Sequence, residues 1–251
     1  MIDAVIFDLD GTLINSERLK AECYHRAVQQ LGRTHVTLEQ VIELYKEIVG
    51  QTRHEISRRV MEAFDLEALC IPLMEQYGVK EPVHVLTAIR LGLYEKLTAD
   101  EDVLRANQWP YTVDLVRAVQ ANGCRIALAT SSLTAEARRA VGALGLTEAF
   151  EAVIGLDQVI KGKPDPEIYL KAAAMLGVEP AHCMVIEDSP PGVAAGLAAG
   201  MNVIGVANPL TLLGLHDSAL DHDWIVHEPD KLAATVDRRI WEHNNPGSQR
   251  G

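Results

Sequence analysis

The chain has 251 residues, 48% of them hydrophobic, and a formal net charge of −12. That apolar content supports a full core and excludes a disordered chain. The acidic balance excludes the basic surface that nucleic acid or an anionic membrane requires, though it leaves room for an anionic small molecule if a cation reverses the local field. The first strand is Val5-Ile6-Phe7, an uninterrupted β-branched and aromatic run of the kind buried on both faces of a parallel sheet. It runs into Asp8-Leu9-Asp10-Gly11-Thr12, so two carboxylates are delivered at a strand end, where open α/β sheets bind their ligands. Taken alone, the same residues also read as an ordinary polar turn.

Helical spacing follows. Leu19, Cys23, Ala27 and Leu31 form one helix ended by Gly32; Thr37 and Gln40 form a capping box before Val41, Leu44, Tyr45 and Ile48; Ile56, Val60 and Phe64 mark a third. Asp65 to Tyr77 has a broken pattern because Pro72 falls inside it, and Leu86, Ile89, Leu93 and Leu97 mark a last helix of this block. From about Thr98 strands return. A helix over Val113–Val119, a turn at Asn122-Gly123 and a strand from Arg125 to Thr130 precede a helix from Ala135 to Leu144. A short strand spans Glu151–Ile154, and Asp165-Pro166 is expected to cap a helix running to Gly177. Cys183–Ile186 is a strand ending in Glu187-Asp188, Gly192–Ala199 a close-packing helix, and Val203–Val206 and Trp224–Val226 are further strands.

Strand alternating with helix predicts an α/β fold, a Rossmann-like parallel sheet core with an inserted all-helical cap domain. The core is expected over residues 1–15 and 98–251 and the cap over 16–97, with a flexible tail at 244–251. Cys23, Cys70, Cys124 and Cys183 include no Cys-x-x-Cys pair and are expected as buried apolar side chains of a reducing compartment. The opening MIDAVIFDLDG lacks a basic segment and no apolar run approaches the ~20 residues that span a bilayer, so a cytoplasmic, membrane-free protein is expected.

In a parallel sheet all strand C-termini share one edge, so four distant groups can converge there: Asp8 and Asp10, Thr130-Ser131-Ser132, Lys163, and Glu187-Asp188-Ser189. Converging carboxylates repel unless a cation joins them, and oxygen ligands favour a hard divalent ion, Mg²⁺. With a hydroxyl near helix amides and a lysine for phosphoryl oxygens, the set describes phosphoryl transfer. Gly162-Lys163 is no P-loop, because Pro164 stands where such a loop has Ser or Thr. The nine histidines show no His-Glu-x-x-His pattern and are expected as surface or packing residues.

This order of motifs resembles the haloacid dehalogenase superfamily of phosphohydrolases, in the branch with a helical cap after the first motif. That branch includes phosphoglycolate phosphatase, sugar phosphatases and β-phosphoglucomutase. The resemblance runs from Val5 to about Val206. It implies that Asp8 attacks phosphorus to form an aspartyl phosphate and that Asp10 acts as general acid and then base. Thr130, Ser131 and Lys163 would bind the phosphoryl group, while Asp8, Asp10 through its backbone, Asp188 and Glu187, directly or at one remove, would hold Mg²⁺. Gly50-Gln51-Thr52-Arg53 matches a cap loop of the β-phosphoglucomutase branch, which makes Thr52 and Arg53 candidates for gripping a second, non-reacting phosphate. Those mutases carry His where this chain has Lys20, which favours a phosphatase over a mutase. A Schiff-base role for Lys20, as in the related phosphonoacetaldehyde hydrolases, lacks the desolvated setting such a lysine needs. The expected partner is a small phosphate ester, sugar phosphate or phosphoglycolate, and the expected assembly a monomer or homodimer. The alternatives are a phosphosugar mutase and a catalytically silent phosphate-binding protein.

Overall fold

The computed structural model describes residues 1–245. The chain divides into two compact units, residues 1–15 with 104 onward, and Ser16–Val103. The first contains six strands: β1 (Ala4–Phe7), β2 (Arg125–Ala129), β3 (Ala152–Ile154), β4 (Cys183–Glu187), β5 (Asn202–Val206) and β6 (Ile225–Val226). All pairings are parallel and the order is β3-β2-β1-β4-β5-β6, the doubly wound arrangement with its reversal beside β1. Phe7 pairs with Leu128 on one side and Ile186 on the other. The residues one step further, Asp8, Ala129 and Glu187, therefore leave the sheet side by side.

The second unit is all helical. It contains α1 (Ser16–Gln30), α2 (Leu38–Ile48), α3 (Arg53–Ala63), α4 (Glu67–Cys70), α5 (Met74–Tyr77) and α6 (Pro82–Thr98), and its boundary falls inside α7 (Glu101–Ala106). This compact unit reaches Val103, whereas the sequence reading ends the helical block at residue 97. α1 packs against α2 and α6, and α3 against α6. Leu19, Cys23, Ala27 and Leu31 are all buried, as their spacing requires. The capping box forms in both directions, with Gln40 N donating to Thr37 Oγ1 at 3.3 Å and Thr37 N donating to Gln40 Oε1 at 2.9 Å. Pro72 resolves the ambiguous stretch by breaking it into α4, a 3₁₀ turn and α5.

Six more helices complete the first unit: α8 (Pro110–Ala121), α9 (Thr134–Ala143), α10 (Glu167–Leu176), α11 (Pro190–Ala198), α12 (Leu212–His216) and α13 (Leu232–Asn244). Period-two alternation along the strands builds two cores, one per face. Val5, Phe7, Leu128 and Ile186 pack with Val116 of α8, Val141 of α9 and Val236 of α13. Ala4, Ile6, Ala127 and Val185 pack with Ile168 and Tyr169 of α10 and Val193 of α11. Burying side chains such as Phe7 and Ile6 contributes roughly 1.5–3 kcal/mol each, and both are 0% exposed. Cys23, Cys70 and Cys183 are buried and Cys124 half-buried, all four as free thiols.

Three details differ from the sequence expectation. α10 starts at Glu167, one residue later than a cap at Asp165 implies, because its first helical bond runs from Leu170 N to the Pro166 carbonyl at 3.0 Å; Asp165 Oδ1 still accepts from Glu167 N at 3.0 Å. Asn244 is the last residue of α13 and its Oδ1 accepts from Ile2 N at 3.2 Å, so the expected tail cannot begin there. Its remainder, 246–251, lies outside the described residues. α7, α12 and α13 were not expected, although Leu232, Val236 and Ile240 have helical spacing.

Candidate active site

Asp8 leaves the C-terminal end of β1 and is 4% exposed. Lys163, from the loop between β3 and α10, donates to Asp8 Oδ1 at 2.7 Å, to Glu187 Oε1 at 2.7 Å and to the Ala129 carbonyl at 3.1 Å. Those contacts use all three ammonium protons. Burial alone would lower Lys163, but the Asp8 and Glu187 carboxylates outweigh it and hold the ammonium well above the ordinary lysine value. Asp8 is pushed up to about 7, first by burial and then by Glu187 and Asp10, against the pull of Lys163.

Glu187, the last residue of β4, is saturated. Its Oε1 also accepts from Tyr169 Oη at 3.1 Å; its Oε2 accepts from Asp188 N and Ser189 N, each at 2.7 Å, and from Ser189 Oγ at 2.9 Å. Five donors share the roughly four lone-pair sites of this carboxylate. Glu187 therefore organises the site: it orients Lys163 and ties β4 to the start of α11, which Ser189 caps by accepting from Gly192 N at 3.2 Å. A Cβ on Gly192 would fall inside the Glu187 carboxylate, which is why the first turn of α11 carries glycine there.

Asp188 follows at the strand end and is 1% exposed. Asn208, just beyond β5, donates Nδ2 to its Oδ2 at 2.9 Å, and Thr12 Oγ1 lies 3.5 Å from its Oδ1. Gly11, at φ +90, allows the chain to pass against this carboxylate; any Cβ there would overlap it. Asp10 Oδ2 accepts from Ser132 Oγ at 2.6 Å and Thr130 Oγ1 at 3.3 Å. Thr130, immediately after β2, is fully buried, and its Oγ1 also accepts from Ser132 N at 3.1 Å.

The structure thus brings together Asp8, Asp10, Thr130, Glu187 and Asp188 on neighbouring strand ends with Lys163 from the loop before α10. Ser131 is exposed, and it is Ser132 that reaches Asp10. Tyr169 and Asn208 were missed as site residues. Ser132 and Ser189 stood inside the motifs already singled out, whereas nothing local marked Tyr169 or Asn208. Thr52 and Arg53 belong to the helical unit, where Thr52 Oγ1 caps α3 by accepting from Glu55 N at 3.2 Å and Arg53 is its first residue. Lys20 is ion-paired with Glu17, which also accepts from Tyr45 Oη at 2.9 Å, so this lysine is engaged as a cation.

Carboxylate oxygens of Asp8, Glu187 and Asp188 lie within 4.8 Å of one another. One ammonium cannot balance them together with Asp10, and burial opposes the charge on Asp8. An all-oxygen, net-negative pocket of this kind fits a divalent cation.

A parallel sheet whose reversal point gathers carboxylates, a buried lysine and hydroxyls has the parts that phosphoryl transfer requires. The chain belongs to the haloacid dehalogenase-like hydrolases, whose family model matches residues 2–200. It is 32% identical to a phosphorylated carbohydrates phosphatase of Thermotoga maritima over 83% of this chain and 87% of that one. To a beta-phosphoglucomutase of Bacillus subtilis it is 28% identical over 95% of both. It matches a bifunctional riboflavin kinase/FMN phosphatase of Arabidopsis thaliana at 32% identity over 86% of this chain, spanning 51% of that longer protein. Among solved structures, a HAD family hydrolase of Deinococcus radiodurans with bound phosphate and sodium is 27% identical with a TM-score of 0.65, covering 95% of this chain and 96% of that one.

Proposed function

We propose that this chain is a Mg²⁺-dependent phosphatase of phosphorylated sugars that works through an aspartyl phosphate on Asp8. The observation that carries this reading is the unequal use of the two Asp8 oxygens. Oδ1 is held by Lys163 at 2.7 Å, while Oδ2 accepts no hydrogen bond among the described residues. Oδ2 is then the attacking atom: it bonds to phosphorus as the ester P–O bond breaks, and Asp10 gives a proton to the departing alcohol oxygen. Asp10 next takes a proton from water, the water oxygen displaces Asp8 from phosphorus, and inorganic phosphate leaves with the carboxylate restored. Lys163, its three protons already engaged, would act on the phosphoryl oxygens as a positive charge, and the Thr130 and Ser132 hydroxyls would donate to them on turning from Asp10. A Mg²⁺ ion would be held by Asp8, Asp188 and the Asp10 carbonyl, where it draws charge from those oxygens. The buried thiols fit a reducing, cytoplasmic setting.

Support for a sugar phosphate comes from the carbohydrate-phosphate specificity in the name of the Thermotoga maritima relative. Incubation with β-glucose 1-phosphate and a bisphosphate primer tests the reading against the mutase alternative. A phosphatase releases inorganic phosphate, and EDTA stops it. Glucose 6-phosphate accumulating much faster than phosphate would overturn it, since a mutase must keep water from the phospho-enzyme.

Arg53, exposed at the start of α3, is proposed to pair with a second anionic group of the substrate. Loss of one charge-assisted hydrogen bond costs roughly 1.5–3 kcal/mol. Arg53→Ala is therefore expected to raise KM about ten- to a hundredfold for doubly charged esters and to leave neutral-tailed ones nearly unchanged. Equal KM effects on both kinds of ester would remove Arg53 from this role.

A further inference from the structure

We infer that the helical unit carries a second, chemically different metal site, formed by His54 on α3, Glu81 at the N-cap of α6 and His84 one turn into α6. One nitrogen of each imidazole and one carboxylate oxygen lie within 4.8 Å of one another. The imidazoles are 5.5 Å apart between centroids and tilted by 56°, so they converge rather than stack flat. Glu81 occupies a helix N-cap without capping it: its side chain makes no hydrogen bond to the first turn of α6. Its backbone carbonyl does accept from His84 N at 3.1 Å, which holds the i and i+3 side chains on one side of the turn. No hydrogen bond or ion pair among the described residues engages any of the three side chains.

The donor set decides the ion. Two imidazole nitrogens and one carboxylate suit a borderline first-row cation such as Zn²⁺, whereas Mg²⁺ takes oxygen ligands. A tetrahedral Zn²⁺ at about 2.0–2.1 Å from each ligand would space the ligand atoms roughly 3.3–3.4 Å apart. His54 and Glu81 are exposed and His84 half-buried, so their side chains have room to turn toward a common ion. Three protein ligands leave a fourth position for water. An ion there would clamp the start of α3, next to Arg53, onto the start of α6. The trio His216, His222 and His227 also has close rings, 4.8 and 4.9 Å apart, but it includes no carboxylate and His222 Nε2 is engaged with the His216 carbonyl at 3.2 Å.

The test is equilibrium dialysis of the full chain, free of any affinity tag, against Zn²⁺ in excess Mg²⁺, with Co²⁺ absorption as a second readout of coordination. The parent is expected to retain one equivalent of Zn²⁺ that Mg²⁺ does not displace. His54→Ala and His84→Ala should each weaken it at least roughly tenfold, since loss of even an outer-sphere partner costs 10–100-fold; Glu81→Gln should weaken it too. Zn²⁺ should raise the melting temperature of the parent but not of the His54→Ala/His84→Ala double variant. Circular dichroism checks that these surface variants fold. The site is overturned if the parent retains no Zn²⁺ in excess Mg²⁺, if the double variant binds it as the parent does, or if His216→Ala/His222→Ala removes it instead.

Discussion

Asp8→Asn should reduce phosphate release below about 1% of the parent while the protein stays folded; deletion of a covalent nucleophile has cost up to about 10⁶ in turnover elsewhere. The amide is nearly isosteric with the carboxylate but cannot attack phosphorus, and it is a poorer ligand for a divalent ion. The fold should survive because burial already opposes the charge on Asp8, which is pushed up to about 7. Lys163 keeps Glu187 Oε1 and the Ala129 carbonyl as acceptors when the Asp8 charge is gone. The decisive measurement is acid quenching during turnover of a substrate labelled at phosphorus. The parent should carry label that peptide mapping places on Asp8, and the variant should carry none. Label on the variant, or activity above that level in folded protein, would end the covalent role.

Lys163→Met is expected to be the most destabilising single change at the site, by about 3–5 kcal/mol, the range found when one partner of a buried ion pair is removed. The side chains of Lys163, Asp8 and Glu187 are 4%, 6% and 1% exposed, so water cannot take over for the lost ammonium. Two carboxylates would then face each other across the space it filled. The double variant Asp8→Asn/Lys163→Met should regain part of the loss, because it removes one of those charges. Urea unfolding in EDTA reads both effects without help from a bound cation. A loss below about 1 kcal/mol would show that Lys163 is not the electrostatic centre of the cluster, since that is the range of an exposed pair.

The sequence by itself determined the α/β class, the position of most elements and the family. Those properties rest on local signals: apolar runs at Val5–Phe7 and Cys183–Ile186, helical spacing from Leu19 to Leu31, the capping box at Thr37, and the Asp8 to Thr12 motif. It also named six polar residues that meet at one sheet edge, because parallel strands place all their C-termini together. Only the tertiary structure decided how those groups share their hydrogen bonds. That Glu187 spends its lone pairs on Lys163, Tyr169, Ser189 and the Asp188 amide follows from strand register and from the approach of α10, which no local pattern encodes. Asn208 meets Asp188 because β5 lies beside β4, a pairing set by the whole sheet. The choice of Ser132 over Ser131 depends on how the chain turns after β2, where neighbouring serines point in different directions. His54 and His84, thirty residues apart, read as ordinary surface histidines until α3 packs on α6. Side-chain convergence of this kind depends on contacts distant in sequence, whereas periodicity reports only on neighbours within a turn or a strand.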